Sequence, residues 1–137
     1  MQKGQLTDYP VKILLAFGEA IDGNDKIFLW LLKNGYPELA ALSKAIRGSD
    51  EAFDWLMKNG FPQFAALDMA IVNDKKAFTW LRDHHFDLLT YLALASRGDK
   101  NAIRWFAMRN LQIFIRIAKK IKGFTDNQKF DYHKLHF

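Results

Sequence analysis

Four tryptophans recur at a constant interval of 25 residues, and this interval restricts the possible folds of the chain more than any other feature. They are Trp30, Trp55, Trp80 and Trp105. A bulky residue that returns at one fixed period indicates a single structural unit that is copied and stacked. Other positions share the period: a glycine or asparagine stands seven residues before each tryptophan, at Gly23, Gly48, Asn73 and Gly98, and Gly123 extends the series. We therefore expect a repeat domain.

The second copy, residues 49–73, predicts a pair of helices. Ser49 is the expected N-cap, because a short polar side chain accepts a hydrogen bond from a backbone N–H that the first turn leaves unpaired. The first helix is expected over about 50–58 and should end at Asn59-Gly60, since glycine adopts the left-handed C′ conformation at low cost. The second helix is expected over roughly 63–72. The matching N-caps of the other copies are Asn24, Asp74 and Asp99.

Helices this short cannot bury their apolar faces alone, so stacked neighbours have to cover them. The sequence therefore predicts an all-α, right-handed-type α-solenoid of short helix–turn–helix units with a 25-residue period. We expect the tryptophans in the core, together with the residues 9, 12 and 16 positions after each of them. The predicted boundaries within the single domain are an N-terminal half-repeat at 11–23, full repeats at 24–48, 49–73, 74–98 and 99–123, and a degenerate C-terminal cap at 124–137.

The paired helices resemble ankyrin repeats. The stretch from Ala45 through Gly48 to Trp55-Leu56 and Asn59-Gly60 is similar to the A-x-x-G…L-L-x-x-G core of that family. Ankyrin repeats run to about 33 residues, so each unit here lacks roughly eight, about the size of the β-turn finger. The T-P-L-H signature is also absent. The resemblance implies that the helix before each glycine lines a concave side and that the protein binds other proteins.

Composition excludes several classes of protein and of chemistry. Half of the residues are hydrophobic, which argues against a disordered chain. The absence of cysteine rules out disulfides and thiolate chemistry and fits a reducing compartment. No apolar run suggests a membrane span, and the first residues do not resemble a secretory signal, so a cytoplasmic protein is expected. No phosphate-binding loop or HExxH motif is present, so we expect neither a cofactor nor an enzyme.

The histidines are the only candidate metal ligands that the sequence brings close together. His84 and His85 lie in the stretch Asp83-His84-His85-Phe86-Asp87, and His133 and His136 stand three residues apart near the end. Such groups have suitable ligand atoms for zinc or a similar ion. The alternative is a solvated turn and a polar tail, since loop tips tolerate polar residues freely. We expect no metal, and the sequence leaves the choice at His84 and His85 open.

The second helix of each unit is the stronger candidate for a binding surface. Residues 11 and 14 positions after each tryptophan point away from the buried stripe. In order they are Ala41 and Lys44, Ala66 and Met69, Tyr91 and Leu94, and Arg116 and Lys119. The alanines leave room, and exposed apolar residues next to cations often mark a partner site. The alternative is that neighbouring helices partly cover Met69, Tyr91 and Leu94.

Charge is distributed unevenly along the chain. Residues 1–96 carry a net charge of −2, and residues 97–137 carry +7. Five of the cations in this last part, which we call the basic patch, are Arg97, Arg104, Arg109, Lys120 and Lys122, next to Arg116 and Lys119. They could form a solvated face, receive acidic segments of a protein, or hold phosphates of nucleic acid or anionic lipid.

The sequence predicts a non-enzymatic scaffold for protein–protein interaction that binds an acidic or amphipathic segment on its concave helical face. The predicted contact residues are Lys44, Met69, Tyr91, Leu94, Arg116 and Lys119. The alternative is a nucleic-acid-binding repeat protein that uses the basic C-terminal third. The sequence predicts no membrane partner, and it does not indicate the oligomeric state.

Overall fold

A computed structural model describes the backbone of residues 5–135 and the side chains of residues 5–128. In this part of the chain the protein is all-α and contains no strand. A 3₁₀ turn at Leu6–Asp8 precedes the α-helices, which are α1 Val11–Ile21, α2 Asp25–Lys33, α3 Pro37–Ile46, α4 Asp50–Lys58, α5 Pro62–Ile71, α6 Lys75–Asp83, α7 Asp87–Ser96, α8 Lys100–Met108 and α9 Gln112–Leu135. The predicted helices over 50–58 and 63–72 are α4 and α5, with a shift of one residue in α5.

The start of each first helix is capped as the sequence predicted. The side chain at the N-cap accepts a hydrogen bond from the backbone N–H three residues later. The donor–acceptor distances are 3.2 Å for Asn24, 3.1 Å for Ser49, 3.0 Å for Asp74 and 2.9 Å for Asp99. A short polar side chain at the same position therefore starts the first helix in every copy.

The ends of the same helices share a hydrogen bond from a side chain to a backbone carbonyl oxygen. The side chain four residues after each tryptophan contacts that tryptophan's carbonyl oxygen, and at Trp30, Trp55 and Trp80 this oxygen also accepts from the backbone N–H of Asn34, Asn59 and His84. The distances are 2.7 Å for Asn34, 2.8 Å for Asn59, 2.8 Å for His84 and 3.1 Å for Arg109. The bond at His84 fixes the tautomer, because Nδ1 has to carry the proton in order to donate it to a carbonyl.

The helices form two layers that follow the repeat. The inner layer consists of α1, α3, α5, α7 and α9, each of which packs against the next. The outer layer consists of α2, α4, α6 and α8, and each outer helix packs against the inner helices before and after it in the chain. This arrangement of consecutive helix pairs is the α-solenoid that the period predicted.

The solenoid also closes on itself, which the sequence did not indicate. Helix α9 packs against α1 as well as against α7 and α8. The Lys120 ammonium forms an ion pair with Asp22 and lies 3.9 Å from a carboxylate oxygen of Glu19, both from the start of the chain. The Lys120 stem passes over Gly18, where an added Cβ would lie 3.1 Å from Lys120 Cδ. The inner helices therefore form a ring.

The core lies on the inward faces of this ring, at the positions the repeat predicted. The residues 9, 12 and 16 positions after each tryptophan are all buried, and so are their counterparts in α1. From α1 to α9 they are Leu14, Phe17 and Ile21; Leu39, Leu42 and Ile46; Phe64, Leu67 and Ile71; Leu89, Leu92 and Ser96; and Phe114, Ile117 and Ile121. Their burial is the main source of stability, at roughly 1.5–3 kcal/mol for each large side chain.

The tryptophans themselves depart from the expectation. Trp30 is 44% exposed, and the other three are only partly buried. The fully buried residue of each outer helix is the next one along, namely Leu31, Leu56, Leu81 or Phe106. The residue after each tryptophan faces the inner helices, and each indole lies at the edge of its outer helix beside the following loop. Trp30, Trp55 and Trp80 stack there on Tyr36, Phe61 and Phe86.

The last helix does not break where the repeat would end. Gly123 lies within α9, whereas Gly23, Gly48 and Gly98 adopt the positive φ angles that end a helix. Asn73 also has a positive φ, of 72°, which fits the tolerance of asparagine for this region. Asn127 and Gln128 are exposed, as a terminal cap requires. The side chains of Asp131, Tyr132 and His133 and all of His136 lie outside the described residues.

Candidate functional site

The outward positions of the inner helices do not line a concave face. Within residues 5–135 the ring is closed and its inward positions are core, so no concave side of these helices is open to a partner. The positions 11 and 14 residues after Trp30 and Trp55 lie on the opposite side, between successive outer helices. The expected concave contact surface is therefore replaced by a series of furrows on the outside of the molecule.

The first furrow lies between α2 and α4 and has a volume of about 420 Å³. Its floor is formed by Ala40, Ala41 and the stem of Lys44, all from α3. The Lys44 ammonium lies 4.6 Å from the centre of the Phe28 ring and 3.4 Å from a carboxylate oxygen of Asp25, so α2 holds it at one wall.

The second furrow lies between α4 and α6, has a volume of about 380 Å³, and repeats the first residue by residue. Each of the ten residues that line the first furrow has its counterpart 25 positions later among the ten that line the second. Ala41 corresponds to Ala66, and Trp55 to Trp80. The pattern of apolar walls is thus copied, while Met69 takes the place of Lys44 and is 37% exposed.

The two remaining apolar candidates belong to the next unit. Tyr91 stands 25 residues after Ala66, and its ring stacks on Trp105 with centroids 4.2 Å apart and planes inclined by 15°. Leu94 lines a smaller cavity near the start of α6, together with Arg97. Both side chains are partly buried. Neighbouring residues therefore cover part of Tyr91 and Leu94, which is one of the two alternatives that the sequence left open.

The basic candidates divide into paired and exposed cations. Lys120 joins α9 to α1 as described, and Lys122 forms an ion pair with Asp126 one turn later in α9. Arg109 lies over the Trp105 ring at 4.1 Å and donates to the Trp105 carbonyl. The structure leaves Arg97, Arg104, Arg116 and Lys119 exposed. Arg116 and Lys119 occupy the outward positions of α9, beyond the last described furrow, so they do not share a cavity with Met69 or Tyr91.

A further cavity, of about 450 Å³, lies where α9 passes the ends of α3 and α5. Its walls include Phe53, Val72 and Phe124, and its polar groups include the carboxyls of Asp50 and Asp68. Burial of the Asp68 carboxyl, with a smaller contribution from the negative charge of Asp50, raises the pKa of Asp68 to about 7. Asp68 therefore carries only part of its negative charge at neutral pH.

The histidine stretch has a structural explanation. His84 caps the end of α6 and stacks on Trp80 with centroids 4.1 Å apart. His85 has a φ of 63° and occupies the position of Gly35 and Gly60 in the earlier copies. No group of three or more potential metal-ligating side chains comes together in the part of the chain that the structure describes.

The sequence did not predict the furrows, although some of the predicted contact residues line them. It grouped Lys44, Met69 and Leu94 as points along one surface, whereas Lys44 lines the first furrow and Met69 the second. The residues of the furrow walls were not assigned to a surface, although they follow the same period. These residues are Phe28, Leu32, Phe53 and Met57. Leu32 and Met57 are exposed at 46% and 52%, which is unusual for positions that repeat.

Comparison with known proteins gives no significant match to a protein-family model, a curated protein or a solved structure. The resemblance of the helix pairs to ankyrin repeats therefore stays a prediction. None of the helices in the described residues combines the length and the apolar character that are needed to cross a bilayer.

Proposed function

We propose that this protein is a non-enzymatic scaffold that binds a segment of another protein in the first and second furrows. The observation that carries the proposal is the repetition of one open, apolar cavity on the outside of the molecule. The large side chains at its walls include Leu32 and Met57, which are exposed and contribute little to the core. Contiguous exposed apolar surface of this kind is typical of interaction sites.

Charge supports an acidic or amphipathic partner. Arg116 and Lys119 are exposed on the outward positions of α9, and Lys44, which is paired with Asp25, lines the first furrow. These cations would attract carboxylates and raise the association rate, while the apolar walls would supply most of the affinity. We place this binding in the cytoplasm, since a chain without cysteine fits a reducing compartment.

Selection from a random 12-residue peptide library tests the proposal. We expect one related group of sequences to be enriched and to bind with micromolar affinity. An Ala66→Arg variant, which fills the second furrow, should weaken binding by about tenfold or more, because it removes contact with the furrow walls. Ala107→Arg is the matched control, since Ala107 is exposed on α8 outside both furrows. Failure to enrich any related sequences, or equal losses in the two variants, would contradict the proposal.

The alternative function is binding of nucleic acid by the exposed cations of the C-terminal third. Arg104, Arg116 and Lys119 are the exposed residues that favour it. A fluorescein-labelled oligonucleotide should then bind with an affinity that falls steeply with salt, because each phosphate contact releases counterions. The double reversal Arg116→Glu and Lys119→Glu should abolish that binding. In the scaffold model the same reversal slows association with an acidic peptide and leaves furrow binding of an uncharged peptide unchanged.

A further inference from the structure

The third unit contains a side chain that occupies the space left open in the first two. Tyr91 projects from the outward side of α7, and its ring stacks on Trp105. The positions that match Tyr91 in the earlier copies are Ala41 and Ala66, and the residues that match Trp105 are Trp55 and Trp80. Ala41 and Trp55 line one furrow, and Ala66 and Trp80 line the other. With alanine in place of tyrosine, Trp55 and Trp80 lack the contact that Tyr91 makes with Trp105, although Phe61 stacks on Trp55, and His84 and Phe86 stack on Trp80.

We propose that the segment bound in the furrows carries two aromatic side chains, one stacking on Trp55 above Ala41 and the other on Trp80 above Ala66. This inference rests on the proposed function and names the chemistry of its partner. The Tyr91–Trp105 pair is the model for each contact: a nearly parallel stack at about 4 Å, of the kind that is favourable between aromatic rings. Ala41 and Ala66 have small side chains at the bottom of the two furrows. An aromatic ring of the partner can therefore lie as deep in a furrow as the ring of Tyr91 lies in the third unit.

The distance between the two furrows determines the spacing in the partner. Packed inner helices lie about 8–10 Å apart, and the outer helices α4 and α6, which the second furrow separates, are at least that far apart. An extended polyproline-II segment rises about 3.1 Å per residue with three residues per turn. Side chains at positions i and i+3 therefore point to the same side, about 9 Å apart. The shortest extended segment that can reach both indoles accordingly has aromatic residues three positions apart.

Charged residues at the rims of the two furrows predict which charges the bound segment carries. Glu51 lines the first furrow, and its counterpart in the second is Lys76. Both side chains are exposed, and neither forms an ion pair with the described residues. A partner with a cation beside the first aromatic residue and a carboxylate beside the second complements this pair. The opposite charges also define the direction in which the segment lies.

The individual indoles provide a direct test with a small probe. We expect 4-methylphenol, the side-chain analogue of tyrosine, to shift the indole N–H signals of Trp55 and Trp80 in a nitrogen-15 NMR titration. The signal of Trp105 should stay unchanged, because Tyr91 covers the side of that ring which Ala41 and Ala66 leave open on Trp55 and Trp80. In Tyr91→Ala the Trp105 signal should begin to respond. In Ala41→Tyr and Ala66→Tyr the Trp55 and Trp80 signals, respectively, should cease to respond.

A wild-type Trp105 signal that shifts as much as those of Trp55 and Trp80 would overturn the inference, and so would tyrosine variants that bind the probe as before. The tyrosine variants keep the test valid if Tyr91→Ala does not fold, since Ala41 and Ala66 line open furrows.

Defined peptides test the spacing and the charge. The peptide Ac-Lys-Phe-Ala-Ala-Phe-Glu-NH2 should bind at least about threefold more tightly than versions with one phenylalanine replaced by alanine. It should also bind more tightly than the versions with two lysines or two glutamates, and Glu51→Lys should remove the preference over the version with two glutamates. If a peptide with phenylalanines seven residues apart binds better, the partner is helical and the extended segment is wrong.

The outcomes separate this inference from the proposed function. If library peptides depend on the furrow, as judged by Ala66→Arg, but lack paired aromatic residues, the scaffold function stands and the aromatic inference fails. If neither the library nor these probes bind in the furrows, both fail.

Discussion

The carboxyl of Asp68 should make the stability of the protein fall as the pH rises through the acidic range. Burial raises the pKa of this group to about 7 in the folded chain, against about 4 in an unfolded one. Between these two values the folded state holds a proton that the unfolded state releases. The free energy of unfolding therefore decreases as the pH increases from about 4 to about 7, and this contribution is constant above that range.

The size of the effect follows from the difference between the two pKa values. Three pH units at about 1.4 kcal/mol each give an upper limit of about 4 kcal/mol. Because the carboxyl keeps some contact with water, about 1–3 kcal/mol is expected. The only other charged side chain among the described residues that line this cavity is Asp50, whose negative charge adds to the penalty. The substitution Asp68→Asn should remove most of it and stabilise the protein at pH 8 by a similar amount.

Urea unfolding, followed by tryptophan fluorescence at a series of pH values between 4.5 and 8, is the appropriate measurement. The difference in unfolding free energy between Asp68→Asn and the wild type should grow with pH up to about 7 and then level off. Asp54→Asn is the control, since Asp54 is exposed on α4 and should give a small, constant difference. If Asp68→Asn destabilises the protein at pH 8, or if its effect does not change with pH, the reasoning about burial is refuted.

Two further predictions concern the loop after α6 and the closure of the ring. His85→Gly should stabilise the protein by about 0.5–1 kcal/mol in thermal or urea unfolding, because glycine adopts the positive φ of this position without strain. His84→Gly should instead destabilise it, since the bond to the Trp80 carbonyl is lost; stabilisation by both would contradict the assignment. Lys120→Met should keep the packing over Gly18, lower stability by about 1 kcal/mol at low salt, and make it less sensitive to salt than the wild type. An unchanged salt dependence would show that the charge of Lys120 does not hold α9 to α1.

The local structure could be read from the sequence because its causes are local and repeated. An N-cap such as Ser49 starts a helix through a bond to a backbone N–H three residues away, so no distant part of the chain is needed. The buried stripe, for example Leu39, Leu42 and Ile46, follows from the period of the α-helix alone. The fold class and the helix positions were therefore predictable, and the structure agrees with them.

The depth of each side chain was less predictable, because it depends on how one helix is rotated against its neighbours. The sequence shows that Trp55 and Leu56 both repeat, but not which of them faces the inner layer. The structure buries Leu56 completely and leaves Trp55 at the edge of a furrow. A difference of one position, 100° around a helix, thus separates a core residue from a candidate binding residue.

By itself, the sequence determined that this protein is a row of helix pairs with a repeated core and capped ends, since each of these features depends on residues close together in one copy. Only the tertiary structure decided that the row closes, with Lys120 of α9 paired to Asp22 near the end of α1. The rotation between successive units is set by packing across each interface and accumulates along the chain, so the repeat length does not encode it. The same rotation fills the inner side with core and turns Ala41 and Ala66 outward to the furrows.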